Sequence, residues 1–214
     1  MEKIDRFLKR FSGSYFAFIG AGTALISLII AIVLYRMVDP TFSPTTDWVS
    51  DLGEGPNCSN YIFNIGEIAT GIILIFFYLY LTTFLQKKGA CKILIWTAFI
   101  IGLFSAIGLI LAGIFPMYAA PDIHFYAATV CFIGIFFLCI FYGITELLII
   151  ENLRKFSISG FIVATITLIF MISLLLSELN YGINRAVYLL LEWISYLAFM
   201  AWIIVQGIFT LKAK

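Results

Sequence analysis

Residues 93–115 read ILIWTAFIIGLFSAIGLILAGIF, and none of them carries a charge. A helix over this stretch is about 35 Å long, enough to cross a hydrocarbon core of about 30 Å. The run lacks the short apolar–polar alternation of membrane strands, so a helix is the element that satisfies its backbone in lipid. It stops at Pro116, which has no N–H with which to continue a helix.

Five further runs of this kind lie near Tyr15–Met37, Tyr61–Leu85, Ile123–Ile150, Ile158–Leu179 and Ala186–Leu211. The chain of 214 residues is 63% hydrophobic and 12% charged, with mean hydropathy +1.07. A soluble domain is nearer half apolar and a quarter charged. The reading is an all-α integral membrane protein, a bundle of six transmembrane helices forming one domain over residues 1–214. Pro121 and Asp122 suit the first turn of the fourth helix. Only residues 38–60 form a connection with room for structure of its own. There Trp48 and Leu52 seek burial while Gly53, Gly55 and Pro56 supply turns, so this loop is expected to lie over the bundle mouth as a lid.

The basic residues set the topology. Lys3, Arg6, Lys9 and Arg10 precede the first span, Lys87, Lys88 and Lys92 join the second to the third, Arg154 and Lys155 join the fourth to the fifth, and Lys212 and Lys214 follow the sixth. Eleven of the thirteen Lys and Arg thus fall on one side, which predicts cytoplasmic N and C termini in a plasma or cytoplasmic membrane. Tyr35, Trp48, Tyr61, Tyr118, Tyr126, Tyr181 and Tyr188 cluster near the outer ends as an interfacial belt.

Eight of the twelve carboxylates fall on the outer side, and Glu67 and Glu192 lie inside spans. Glu67 is six residues past Tyr61, about 9 Å down the helix. A carboxylate at that depth is costly unless it faces a cavity, pairs with a cation or takes up a proton. Asn60, Asn64, Glu67 and Gly71 draw a polar-to-small stripe on the second helix, and Arg185, Tyr188, Glu192 and Ser195 draw another on the sixth. His124, the one histidine, opens the fourth helix at the same level. These spacings predict an outward-facing pocket formed by Asn64, Glu67, His124, Arg185, Glu192 and Asp51. His124 and Arg185 are the expected partners of Glu67 and of the anionic part of a ligand. Interhelical glue without a ligand is the alternative.

Ser50–Gly53 (S-D-L-G) followed by Asn64, Gly66 and Gly71 resembles the first signature of the membrane family catalogued as domain of unknown function 998. Gly113, Phe115 and Pro116 with His124 resemble its second, G-x-F-P closing the third helix and a histidine soon after. Where that family carries an acid–arginine pair entering the last helix, this chain has Asn184–Arg185. The Glu192–Trp193 pair is similar to the group that includes the Frag1, DRAM and Sfk1 proteins. The resemblance implies six membrane helices and, through the distant group, a link to lipid homeostasis; it implies no known reaction.

Chemistry narrows the remaining choices. One histidine cannot supply a bis-His haem site, and His124 with Asp51 and Glu67 makes a poor zinc set, so no metal or cofactor is expected. Ser50, His124 and Asp51 hold the letters of a triad without a G-x-S-x-G elbow. Cys58, Cys91, Cys131 and Cys139 form no C-x-x-C and read as free thiols. Asn57-Cys58-Ser59 is a glycosylation sequon. The leading function is a binding or accessory protein whose pocket holds a lipid head group or a membrane-protein partner segment. Membrane lipids are the expected partners, and nucleic acid is not among them. The alternatives are a lipid-modifying hydrolase or transferase, with catalytic candidates Glu67, His124 and Asp51, and a small transporter. Against transport, the inner halves of the helices offer mainly Thr82, Thr83, Thr97, Thr145 and Gln206, with Glu146 assigned to the inner interface.

Overall fold

In a computed structural model the described residues are 13–149 and 154–212. They form six long helices: α1 (Ser14–Arg36), α2 (Ser59–Lys87), α3 (Lys92–Ile114), α4 (Pro121–Ile149), α5 (Arg154–Glu178) and α6 (Arg185–Lys212). All six have the length and apolarity to cross a membrane, α5 over Phe156–Glu178, and the described residues contain no strand. The chain is therefore a multi-pass membrane protein. Its helix ends fall within a few residues of the apolar runs, because Pro116 and the following turn close α3 and Pro121 starts α4. The basic residues Lys3, Arg6, Lys9, Arg10 and Lys214 lie outside the described residues.

Each helix packs mainly on its neighbours in sequence, and α6 closes on α1, so the six make a ring. Burial is inverted relative to a soluble protein. Ile19, Ile26, Ile29 and Val33 of α1 face outward, while Ala17, Ala21, Ala24 and Ala31 line its inner face. Small residues let helix backbones touch, which is how membrane helices associate when lipid is as apolar as their side chains. At Gly108 of α3, a Cβ would lie 2.6 Å from the carbonyl oxygen of Ala127 and 2.8 Å from the amide nitrogen of Cys131 on α4.

The α4–α5 pair is tight at one end and open at the other. Toward the lysine-bearing end, marked by Lys87, Lys88 and Lys92, a Cβ on Gly160 would lie 2.7 Å from the carbonyl oxygen of Cys139. Toward the opposite end the helices diverge around the Phe132–Phe170 ring contact, whose centroids are 4.8 Å apart. Thr167 and Ser195 hydroxyls, 2.9 Å apart, hold α5 to α6 across the middle.

The connection 38–60 covers this second end, here called the loop end. It contains a short 3-10 helix, Val49–Glu54, with Leu52 fully buried. Two helices and a turn hold it down. The Val49 N–H donates to Glu192 Oε2 at 2.8 Å, Asn64 Nδ2 donates to the Gly53 carbonyl at 2.8 Å, and Trp193 Nε1 donates to the Asp47 carbonyl at 3.0 Å. Glu54 Oε1 accepts from the Tyr118 and Ala119 N–H groups of the α3–α4 turn. Gly53 is required by proximity, because a Cβ there would sit 2.5 Å from Asn64 Oδ1.

Candidate functional site

Beneath the 3-10 helix the ring encloses a chamber of about 70 Å³. Glu67 projects into it from α2, only 3% exposed, and its Oε1 accepts a hydrogen bond from the Tyr196 hydroxyl of α6 at 2.6 Å. Glu192 lies one turn before Tyr196 on the same face of α6, and it faces the chamber from the other side. His124, in the first turn of α4, has its Nδ1 2.9 Å from the Phe115 carbonyl oxygen. A carbonyl only accepts, so Nδ1 carries a proton, and Nε2 is the ring nitrogen left free.

Each acid is thus half engaged. Glu67 Oε2, Glu192 Oε1 and His124 Nε2 have no hydrogen-bond partner among the described residues, while all three side chains line the chamber. No lysine or arginine lines it. Among the described residues, no three of His, Cys, Asp and Glu gather as a metal site requires.

The chamber opens sideways. A groove of about 530 Å³ lies where α4 and α5 diverge, walled by Phe125, Thr129, Leu168, Met171 and Leu175. Ser50, His124, Ala128, Phe132 and Glu192 line both spaces, so chamber and groove adjoin at these residues. The groove wall is largely apolar, with Glu178 also in its lining, and most of it lies within the membrane-spanning lengths of α4 and α5.

Of the six expected pocket residues, Asn64, Glu67, His124 and Glu192 meet around the chamber, and Asp51 and Arg185 do not. Arg185 is exposed at the first position of α6. Asp51 closes the 3-10 turn, its Oδ2 accepting from the Trp48 N–H at 2.8 Å. The expected pairing of Glu67 with His124 or Arg185 is replaced by the bond to Tyr196. Tyr196 was legible as the residue four after Glu192; following the i+3 neighbour Ser195 instead led past it.

Glu146 also departs from expectation. It is 1% exposed rather than interfacial, because Cys139, Tyr142 and Glu146 share the inward face of α4 right to its lysine-bearing end. Its two oxygens, the amide atoms of Gln206 and Trp202 Nε1 have no partner among the described residues. Thr82 and Tyr142 hydroxyls pair nearby at 2.9 Å. The lysine-bearing half is more polar than a count of threonines suggested.

Asp51 gives the loop a pH dependence. Partial burial, the largest cause, raises its carboxyl above the ordinary value, while the Trp48 N–H and the Arg185 guanidinium pull it down. The folded chain therefore holds this proton more tightly than the unfolded chain. Loop stability is full below the ordinary carboxylate value and falls as pH rises through the raised one. Amide exchange over residues 49–54, corrected for intrinsic rate, is expected to speed up across that window and to flatten in Asp51→Asn. A wild-type profile already flat there would show that Asp51 does not govern the loop.

Six spanning helices around a half-engaged carboxyl pair, roofed by a short loop helix and open to the side, define a polytopic membrane protein with an internal polar chamber. The chain belongs to the family described as protein of unknown function (DUF998), whose model matches residues 16–208. Comparison with curated proteins and with solved structures gives no match.

Proposed function

We propose that this protein binds a membrane amphiphile, which enters sideways between α4 and α5 and places its polar end in the Glu67–Glu192–His124 chamber. The lysine-bearing end faces the cytoplasm in this reading, because basic connections stay on that side. The amphiphile then comes from the outer leaflet, and residues 38–60 act as a lid that separates the chamber from water. The observation that carries the reading is that a chamber holding the carboxyl groups of Glu67 and Glu192 adjoins a largely apolar groove at Ser50, His124, Ala128, Phe132 and Glu192. A chain in the groove replaces one lipid contact by another at little cost, whereas its polar end gains partners that lipid does not offer.

Ala128 stands at the junction of chamber and groove. Ala128→Trp is expected to fill this junction and strip co-purifying lipid, with helicity and monodispersity unchanged. Lipid retention equal to wild type, read by native mass spectrometry, would defeat the lateral route. Because Glu67 and His124 line one chamber, the same geometry supports a lipid-modifying enzyme as a second reading. Lipid recovered chemically intact after long incubation supports binding, and a converted lipid supports catalysis.

A further inference from the structure

The size and polarity of the chamber specify what kind of polar end it takes. A water needs about 10–15 Å³ of such space, so 70 Å³ holds roughly five waters or one small polar group. A glycosylated head is too large. The groove, at 530 Å³, has room for a hydrocarbon chain.

Polarity restricts the choice further. The groups left over are two carboxyl oxygens and an imidazole nitrogen: Glu67 Oε2, Glu192 Oε1 and His124 Nε2. Of the donors, the Tyr196 hydroxyl is taken by Glu67, the Val49 N–H by Glu192 and one Asn64 amide hydrogen by Gly53, while the buried Tyr78 hydroxyl has no partner among the described residues. Arg185, the cation expected to meet a phosphate, lies outside both spaces. An anionic head placed beside two carboxyl groups, with no lysine or arginine in the lining, would lack a cation to pair with, which is costly where water is scarce. A donor-bearing head would be matched on each side.

Resting on the lateral-binding reading, we infer that the ligand is a small-headed amphiphile whose buried end is a hydrogen-bond donor, a primary amine or a hydroxyl, and not a phosphate or carboxylate. With two carboxyl groups and no protein cation in the chamber, the amine is favoured over the hydroxyl.

Four probes with the same chain and different ends test this: oleylamine, oleyl alcohol, oleate and oleoyl lysophosphatidate. Each is titrated into the full chain in phosphatidylcholine nanodiscs and read by native mass spectrometry. Oleylamine is expected to bind about tenfold more tightly than oleyl alcohol, as a charge-assisted hydrogen bond would give. Both should bind above the two anions. Glu67→Gln keeps an acceptor for Tyr196 and so preserves the fold, but it should erase most of the amine's advantage and leave the alcohol nearly unchanged. Glu192→Gln is the parallel variant, keeping an acceptor for Val49. Anions that bind more tightly than the amine and alcohol, with binding lost in Ala128→Trp, would overturn the head-group assignment while leaving the lateral route standing. If none of the four binds and Ala128→Trp changes nothing, the lateral-binding reading itself falls.

Discussion

Gly108→Ala is expected to lose most of the stability of the fold, because the added Cβ would meet α4 backbone atoms that cannot turn aside. The carbonyl oxygen of Ala127 is 2.6 Å from that position and the Cys131 amide nitrogen 2.8 Å. Relief requires α3 and α4 to separate, and overpacking of this kind costs about 1–3 kcal/mol, with contacts to backbone atoms at the upper end. The damage spreads to the chamber, since the first turns of α4 carry His124 and Ala128. Gly22 of α1 is the control, with nothing within 4 Å of its Cβ position. Alanine there removes backbone freedom from the unfolded chain at no steric cost and should stabilise by about 0.5–1 kcal/mol. Melting in detergent should therefore shift downward for one and upward for the other. Equal shifts would show that the α3–α4 contact is looser than this geometry.

Tyr196→Phe separates a structural pair from a ligand site. The phenyl ring keeps the packing but removes the one donor to Glu67 Oε1, leaving a buried carboxyl without its partner. A cost of about 1–3 kcal/mol is expected, more if the carboxyl is charged. Adding Glu67→Met replaces the second partner by an apolar side chain of similar volume, and such paired replacements are close to neutral. The double variant should thus regain most of the lost stability. Its lipid retention should nevertheless stay low, since Glu67 Oε2 has gone with the rest of the carboxyl. A double variant that recovers both stability and lipid would reduce the pair to interhelical glue.

Much of the fold was legible because helix ends are written in local chemistry. Pro116 and Pro121 bracket the α3–α4 turn, and uninterrupted apolar runs set the spans. The depth of Glu67, Glu192 and Asn64 was legible too, since rise per residue converts position into depth. The identity of hydrogen-bond partners was not. Choosing Tyr196 over Ser195, or over His124, depends on how far each helix is rotated about its own axis, which hydropathy leaves open. Glu146 was misread for a related reason: nearness to a helix end says nothing about which face is covered. The groove was invisible because its walls are ordinary apolar residues. What makes it a groove is the divergence of α4 and α5 away from their contact at Gly160.

The closed ring has a consequence for how the protein is made. Five of its six interfaces join helices adjacent in sequence and can form as each hairpin leaves the ribosome. The sixth waits for the end of synthesis: Ser14 Oγ meets Thr210 Oγ1, 196 residues away, at 2.8 Å. Glu67 waits as long for Tyr196, 129 residues downstream, and the Val49 N–H for Glu192. Every nascent chain therefore passes through a stage in which a membrane-embedded carboxyl lacks the donor it will have in the finished protein. A chain that ends before α6 never leaves that stage. The polar groups that build the chamber are thus the last in the fold to find their partners.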